Sequence, residues 1–412
     1  MPAIIRAVGT AVPPTTIDQH AVQGLFAAQP ALSRLGQRIV GTAFGASAVD
    51  RRHTVLSELL DEGASDFVDE HGVIRSPSTR FRNDRYRESA LPLFVAAAAD
   101  ALAKADIAAD QVTHVVTVSC TGFTQPGPDL AVATELGMRP GVFRHHIGFM
   151  GCYAAFPALR TAAAFCAEDP DAVVLVVCAE LCTLHIRASD DPDQIVANSV
   201  FGDGAAAAVV TPDLPEGRFG SAADADAPPS LRIDAFASAV IPEGAGDMAW
   251  NIGDEGFEMV LSSAVPRLIE QHVAEAVAPV LTAIECDDAT AVPLWAVHPG
   301  GRAILDRVED ELHLPAMAID ASRRVLAEHG NMSSATVLFV LREAMAAAPA
   351  DGTPVVALAF GPGLTVETAA LTVVGTTAGT GSAPAAGIGR GEAEGRTGID
   401  DAVAVLDDAV AV

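Results

Sequence analysis

Three short stretches of this 412-residue chain set a reactive side chain beside a glycine turn: Cys152 in GFMGCYAA, His298 in WAVHPGG and Asn331 in EHGNMSSA. A cysteine entering a helix N-terminus feels the positive end of the helix dipole, which favours the nucleophilic thiolate. A histidine beside it can hold the thiolate as an ion pair and donate a hydrogen bond to a developing oxyanion. An asparagine amide can supply a second donor at the same point. Together the three would form an acyl-thioester site. The cysteine would take the acyl group, and the other two would stabilise the enolate left when a carboxylated thioester loses CO₂. Each residue also has a structural alternative. Buried cysteines are common and mostly inert; His298 before Pro299 can be a satisfied turn histidine; Asn331 after Gly330 suits a helix N-cap. Spacing along the chain does not bring the three together.

The elements that must position them are legible as runs. HVVTVSC (114–120), AVVLVVCAE (172–180) and GDGAAAAVVT (202–211) alternate with alanine-rich helical text such as CYAAFPALRTAAAFCAE. Continuous apolar strands separated by helices indicate strands buried on both faces in a layered α/β architecture. A polar, proline- and glycine-rich joint lies at about 212–230. Beyond it, 256–284 reads as a long amphipathic helical region, PLWAVHPGG as a strand ending in a glycine turn, and TPVVALAFGPGLTVETAALTVV as strand, tight turn and strand. Both halves show helix, apolar strand and a sharp turn carrying a polar residue, which suggests a structural duplication without a repeat in the text. The chain divides into an N-terminal half, 1–225, with the cysteine and a C-terminal half, 226–375, with the histidine and asparagine. Residues 376–412 form a low-complexity segment that reads as a disordered tail.

Composition narrows the function. Half of the residues are hydrophobic and 19% charged, enough for a large core. The sequence has no run of about twenty apolar residues, so no membrane span is expected. The start, MPAIIRAVGTAVPP, reads as a first strand rather than a signal peptide, which points to the cytoplasm. A net charge of −28 disfavours nucleic acid as a partner. The six cysteines, Cys120, Cys152, Cys166, Cys178, Cys182 and Cys286, read as free thiols. Cys178 and Cys182 with nearby His185 lack a second ligand pair, so no metal is expected.

GFMGCYAA, WAVHPGGRAIL, GNMSSATVLFVL and FGPGLTVE (360–367) resemble, in order, the motifs of the type III polyketide synthases, the chalcone synthase family of the thiolase superfamily. SVFGDGAAAAVV (199–210) resembles a further, less specific motif, and the likeness runs to about residue 375. It implies an α/β, thiolase-like five-layered αβαβα subunit with two similar halves, acting as a homodimer. It also implies acyl-CoA starters extended with malonyl-CoA, with no metal and no cofactor beyond the CoA thioester substrates. Carried onto this chain, Cys152 is the nucleophile, and His298 and Asn331 activate it and form the oxyanion site. Phe201 is the gate between CoA tunnel and cavity. The second gate falls in GFEMVL, where counting back from Val265 and Pro266 favours Met259 over Phe257.

The resemblance also assigns the cavity wall. Cys120 and Thr121 come from SCTGFTQPG, and Glu180, Cys182 and His185 from CAELCTLHIR. His185 would narrow the cavity, exchange a proton or simply pack. Ser333 matches a cavity position, and Phe360, Gly361, Pro362 and Gly363 shape the loop bounding the cyclisation pocket. One departure stands out. The plant enzymes hold the CoA phosphates with lysines just before this point, and GTAFGASAVDRRHTV has none. Arg51 and Arg52 remain, either as phosphate ligands or as structural ion-pair partners. The style is that of bacterial members making alkylpyrones, alkylresorcinols or small phenolics. Two alternatives are a ketoacyl synthase of the fatty-acid-initiating kind, which HPGG and FGPGLTVE disfavour, and a silent thiolase-fold partner subunit, which would have lost Cys, His or Asn.

Overall fold

The computed structural model describes residues 2–60, 65–214, 229–347 and 349–375. The segment 376–412, the boundary at 225/226 and most of the polar joint lie outside the described residues. Nine strands make the main sheet: β1 (Ala3–Ala11), β2 (His114–Ser119), β3 (Phe143–Gly148), β4 (Val174–Leu181), β5 (Asp203–Pro212), β6 (Ser230–Val240), β7 (Leu294–Val297), β8 (Pro354–Gly361) and β9 (Thr365–Val374). Their order is β7-β8-β9-β6-β1-β5-β4-β2-β3.

The duplication is visible in this order. In the first half β2 runs parallel to β4, β4 antiparallel to β5, and β5 antiparallel to β1. In the second half β7 runs parallel to β8, β8 antiparallel to β9, and β9 antiparallel to β6. The halves meet where β1 and β6 pair antiparallel, Ala3 opposite Ile233, Ile4 opposite Arg232 and Ile5 opposite Leu231.

Alternation along the strands builds the layers, because successive side chains point to opposite faces. On β4, Val174, Val176 and Cys178 face a central core shared with helices α2 (Ala155–Glu168) and α5 (Thr336–Ala346). Leu175, Val177 and Ala179 face an outer core with α1 (Thr79–Lys104). On β8, Val355, Ala357 and Ala359 face the central core, while Val356, Leu358 and Phe360 face α3 (Val265–Ala283) and α4 (Arg302–Glu311). The order is helix, half-sheet, helix, half-sheet, helix, the five layers that the family resemblance implies. The region 256–284 is not helical throughout. Gly256–Leu261 forms a hairpin with Met248–Gly253, and the helix starts only at Val265, with Pro266 in its first turn where a missing N–H costs little. No helix among the described residues is long and apolar enough to cross a membrane.

β1 lies close enough to α1 to exclude side chains at one point. A Cβ on Gly9 would stand 2.2 Å from the backbone nitrogen of Ala101 and 2.5 Å from the carbonyl oxygen of Ala97. Gly9→Ala must therefore separate helix from sheet, and a loss of about 1–3 kcal/mol is expected, as for overpacked cores. A clear drop in Tm checks this; an unchanged Tm would show that α1 can yield at no cost.

Candidate active site

The cysteine turn is built by close packing between the halves. After β3 the chain passes through Phe149 and Gly151, both with positive φ (58° and 81°), before α2 begins at Ala155. Glycine alone adopts this conformation at Gly151 without strain. A Cβ on Gly151 would also lie 2.3 Å from Cδ of Pro362, and one on Gly361 would lie 2.5 Å from the ring of Tyr153. The nucleophile turn and the loop after β8 thus interlock, glycine against proline and glycine against tyrosine. The Cys152 thiol is half-buried, with the side chains of Ser333 and Asn331 near it. Burial pushes this thiol up to about 11; Ser333 and Asn331 act the other way, and nearby Glu180 adds to the rise. Desolvation therefore outweighs the helix-end effect expected from sequence, and the lone thiol keeps its proton at neutral pH.

Asn331 is oriented by its own oxygen. Oδ1 accepts from the Ser333 backbone N–H at 2.8 Å and from Oγ1 of Thr336 at 3.4 Å, in the manner of a helix cap. The amide nitrogen is left to face the Gly300 carbonyl, at 3.4 Å, and the Cys152 thiol. The capping role and the site role thus belong to opposite ends of one amide. The Gly300 contact ties Asn331 to the turn of His298, which follows β7 and donates its backbone N–H to Leu358 at 2.8 Å. The His298 ring is 1% exposed, and neither ring nitrogen has a hydrogen-bond partner among the described residues. This rules out the satisfied turn histidine. Burial pushes its imidazolium down to about 3. A buried donor or acceptor without a partner costs about 1–3 kcal/mol, so such a ring is informative about function.

Glu180 on β4 organises the wall beneath the thiol. The fully buried carboxylate accepts from the Cys120 N–H and the Thr121 hydroxyl, both at 2.9 Å, and from the hydroxyls of Ser119 and Ser334. Burial raises its pKa against these hydrogen bonds. The Cys120 thiol lies 3.3 Å from the Ser333 hydroxyl that also serves Cys152. Cys120, Thr121 and Ser333 are therefore brought together around the nucleophile. Cys182 is buried just past the end of β4, and desolvation pushes its thiol well up.

His185 turns out to be packed. One ring nitrogen donates to the Thr121 carbonyl at 2.8 Å, the other accepts the Phe257 N–H at 3.1 Å, and the ring stacks on Phe257 at 4.1 Å. Burial lowers it to about 3, so it stays neutral. Met259, half-buried, lies opposite Trp250 in the hairpin, while Phe257 joins the wall aromatics. Phe201 stands at the end of the helix Pro192–Val200, bridged to Asn331.

Two expectations fail. Phe360 points away from the pocket into the outer core, because strand alternation sets it opposite Ala359 and Gly361. Arg52 is 3% exposed and donates to the carbonyls of Asn198 and Phe201, so it cannot reach a CoA phosphate. Arg51 is exposed and lies 3.7 Å from Glu328.

One wall residue carries no sequence signal. Trp250 donates its indole N–H to the Cys120 carbonyl at 2.9 Å. It meets His185 and Phe257 edge-on, at 5.4 and 5.8 Å, and lies 6.5 Å from Phe201.

Residues 1–214 match the N-terminal domain of chalcone and stilbene synthases, and residues 232–375 the C-terminal domain. The chain belongs to the chalcone and stilbene synthase family. It is similar, at 26% identity and a TM-score of 0.80, to the C-terminal type III polyketide synthase domain of Steely1, a type I/III hybrid from Dictyostelium; the match covers 91% of this chain and 100% of that one. It is also similar to PKS-I of the brown alga Ectocarpus siliculosus (26%, TM-score 0.79, 90% and 98% covered) and to a type III pentaketide synthase of Neurospora crassa (26%, 0.77, 90% and 99%). The protein is thus an acyltransferase of the type III polyketide synthase class, with a thiolase-like fold.

Trp250 stands between the Cys120 carbonyl and Phe201, where a chain held on Cys152 would meet it. A tryptophan of this kind covers about 150–250 Å². Trp250→Ala is expected to admit longer acyl-CoA starters and to shift products to higher mass. Mass spectrometry of products over a starter series checks this, and an unchanged product range in a folded variant would remove Trp250 from the wall.

Proposed function

We propose that the protein loads an acyl-CoA starter on Cys152, extends it by repeated decarboxylative condensation with malonyl-CoA, and cyclises the chain to an alkylpyrone, alkylresorcinol or small phenolic. The observation that carries this reading is the Cys152 thiol near the Asn331 side chain, in a chain where the buried His298 ring has both nitrogens free of partners among the described residues. Burial disfavours a lone thiolate at Cys152 and a lone imidazolium at His298. The two therefore charge together. The Cys152 proton passes to His298 as Sγ attacks the starter carbonyl, and the collapsing intermediate expels the CoA thiolate, which takes that proton.

Malonyl-CoA then loses its carboxylate as CO₂. The electron pair of the broken C–C bond becomes an enolate on the thioester oxygen, where a His298 N–H and the Asn331 amide can donate. The enolate carbon attacks the acyl group on Cys152, a C–C bond forms, and Sγ leaves as thiolate. The same reading has the protein work as a homodimer in the cytoplasm, without metal or cofactor. β3, an edge strand with Phe143 63% exposed, supports a second copy at that edge.

Acyl-CoA starters with malonyl-CoA should give CO₂, free CoA and polyketide products by mass spectrometry, and Cys152→Ala should abolish acyl loading. Preference for malonyl on a carrier protein would favour the ketoacyl synthase alternative, and no CO₂ release the silent subunit. His298→Ala should leave Cys152 without a proton acceptor, with only Ser333 and Asn331 opposing burial. Its alkylation by iodoacetamide should then titrate at higher pH than in the wild type. An identical pH profile would dissolve the Cys–His pair.

A further inference from the structure

We infer that Arg52 is a positioning residue that locks the Phe201 turn and the backbone of Asn331 into one rigid unit. The inference rests on the functional reading above for its consequence, but not for its geometry. Arg52 sits in the short strand Arg51–Thr54, paired with Thr15–Asp18. One terminal nitrogen of its guanidinium donates to the carbonyls of Asn198 and Phe201, both at 2.7 Å. The other donates to Oε1 of Gln19 at 2.8 Å, and the Gln19 amide nitrogen is held by Ser47 and by the Ser199 carbonyl. These carbonyls belong to the end of helix Pro192–Val200, where the last carbonyls have no partner within the helix. The positive fork meets the negative end of the helix dipole there.

The arrangement is costly for a purely structural contact. Every acceptor is neutral, and among the described residues no carboxylate lies within 4.0 Å of Arg52. The charge it feels is Asp203, which is engaged by the Thr183 N–H and hydroxyl and the Val55 N–H. A buried charge without a contacting counter-ion is expensive, and apolar packing would hold the same turn more cheaply. What the planar fork adds is direction, since it fixes two carbonyls at once.

That direction reaches the site. Asn331 N–H donates to the Val200 carbonyl at 2.8 Å, and the Gly202 N–H donates to the Asn331 carbonyl at 2.9 Å. A Cβ on Gly202 or Gly330 would stand 3.2 or 3.6 Å from the Arg52 Cβ, so the clamp packs directly on both strands of this bridge. Loosening Arg52 releases the gate phenylalanine and the asparagine amide together, while the Cys152 turn is held separately by Pro362 and Tyr153.

The test uses full-length Arg52→Lys, which keeps the charge and loses the fork, and Arg52→Gln. Hydrogen exchange followed by mass spectrometry should show peptides 198–204 and 329–333 exchanging about tenfold faster, as for one lost charge-assisted hydrogen bond, with the peptide around Cys152 unchanged. Malonyl-CoA decarboxylation should fall by about tenfold while acylation of Cys152, read by intact mass, changes by less than about threefold. Arg52→Lys carries the comparison should Arg52→Gln not fold. Unaltered exchange at both peptides, or decarboxylation and loading falling in parallel, would overturn the inference. A wild-type protein without malonyl-CoA turnover would instead overturn the functional reading, with exchange still deciding the clamp.

Discussion

The whole site depends on contact at backbone distance between turns from opposite halves of the chain. Gly151 faces Pro362 and Gly361 faces Tyr153, with no room for a Cβ at either position. Such contacts tolerate almost no displacement, because packed interiors deform little. The two halves of the nine-stranded sheet supply the rigid frame. They share the helices α2 and α5 between them, and each of these helices follows a residue of the site: Cys152 before α2, Asn331 before α5. The central layer is thus both the core of the protein and the mount for its chemistry.

Within that frame, burial away from water governs which groups carry charge. It holds Cys152, Cys120 and Cys182 as thiols, and His185 and His298 as neutral rings. The histidines differ in their partners. His185 has both nitrogens satisfied and a ring stacked on Phe257, which suits a wall. His298 has neither among the described residues, which leaves both of its nitrogens open to a further partner. Glu180 is buried likewise: among the described residues five donors surround its carboxylate with no cation in contact, and they order the residues around it.

Much of this was legible in the text of the chain. Continuous apolar runs gave buried strands, and the reactive residues beside glycine turns marked Cys152, His298 and Asn331. What escaped was orientation. Phe360 lies in a motif, yet strand alternation turns it to the far side of β8. Arg52 stands next to exposed Arg51, yet its partners are about 150 residues away along the chain. Trp250 has no motif at all; its place on the wall comes from a hairpin whose second strand reads as the start of a helix. Side-chain direction depends on the register of an element, and register is set by pairing with distant strands.

The sequence by itself determined the layered α/β class, the reaction class through its ordered motifs, and three candidate reactive residues beside glycine turns. These are local properties, since apolar period and glycine turns are carried by neighbouring residues. The tertiary structure decided which atoms of those residues face one another. It committed the Asn331 oxygen to a backbone N–H and left its nitrogen near the thiol, it left the His298 ring without partners among the described residues, and it buried Arg52 behind the Phe201 turn. Each outcome follows from long-range packing, where burial and hydrogen-bond supply are fixed by residues that no local pattern brings together.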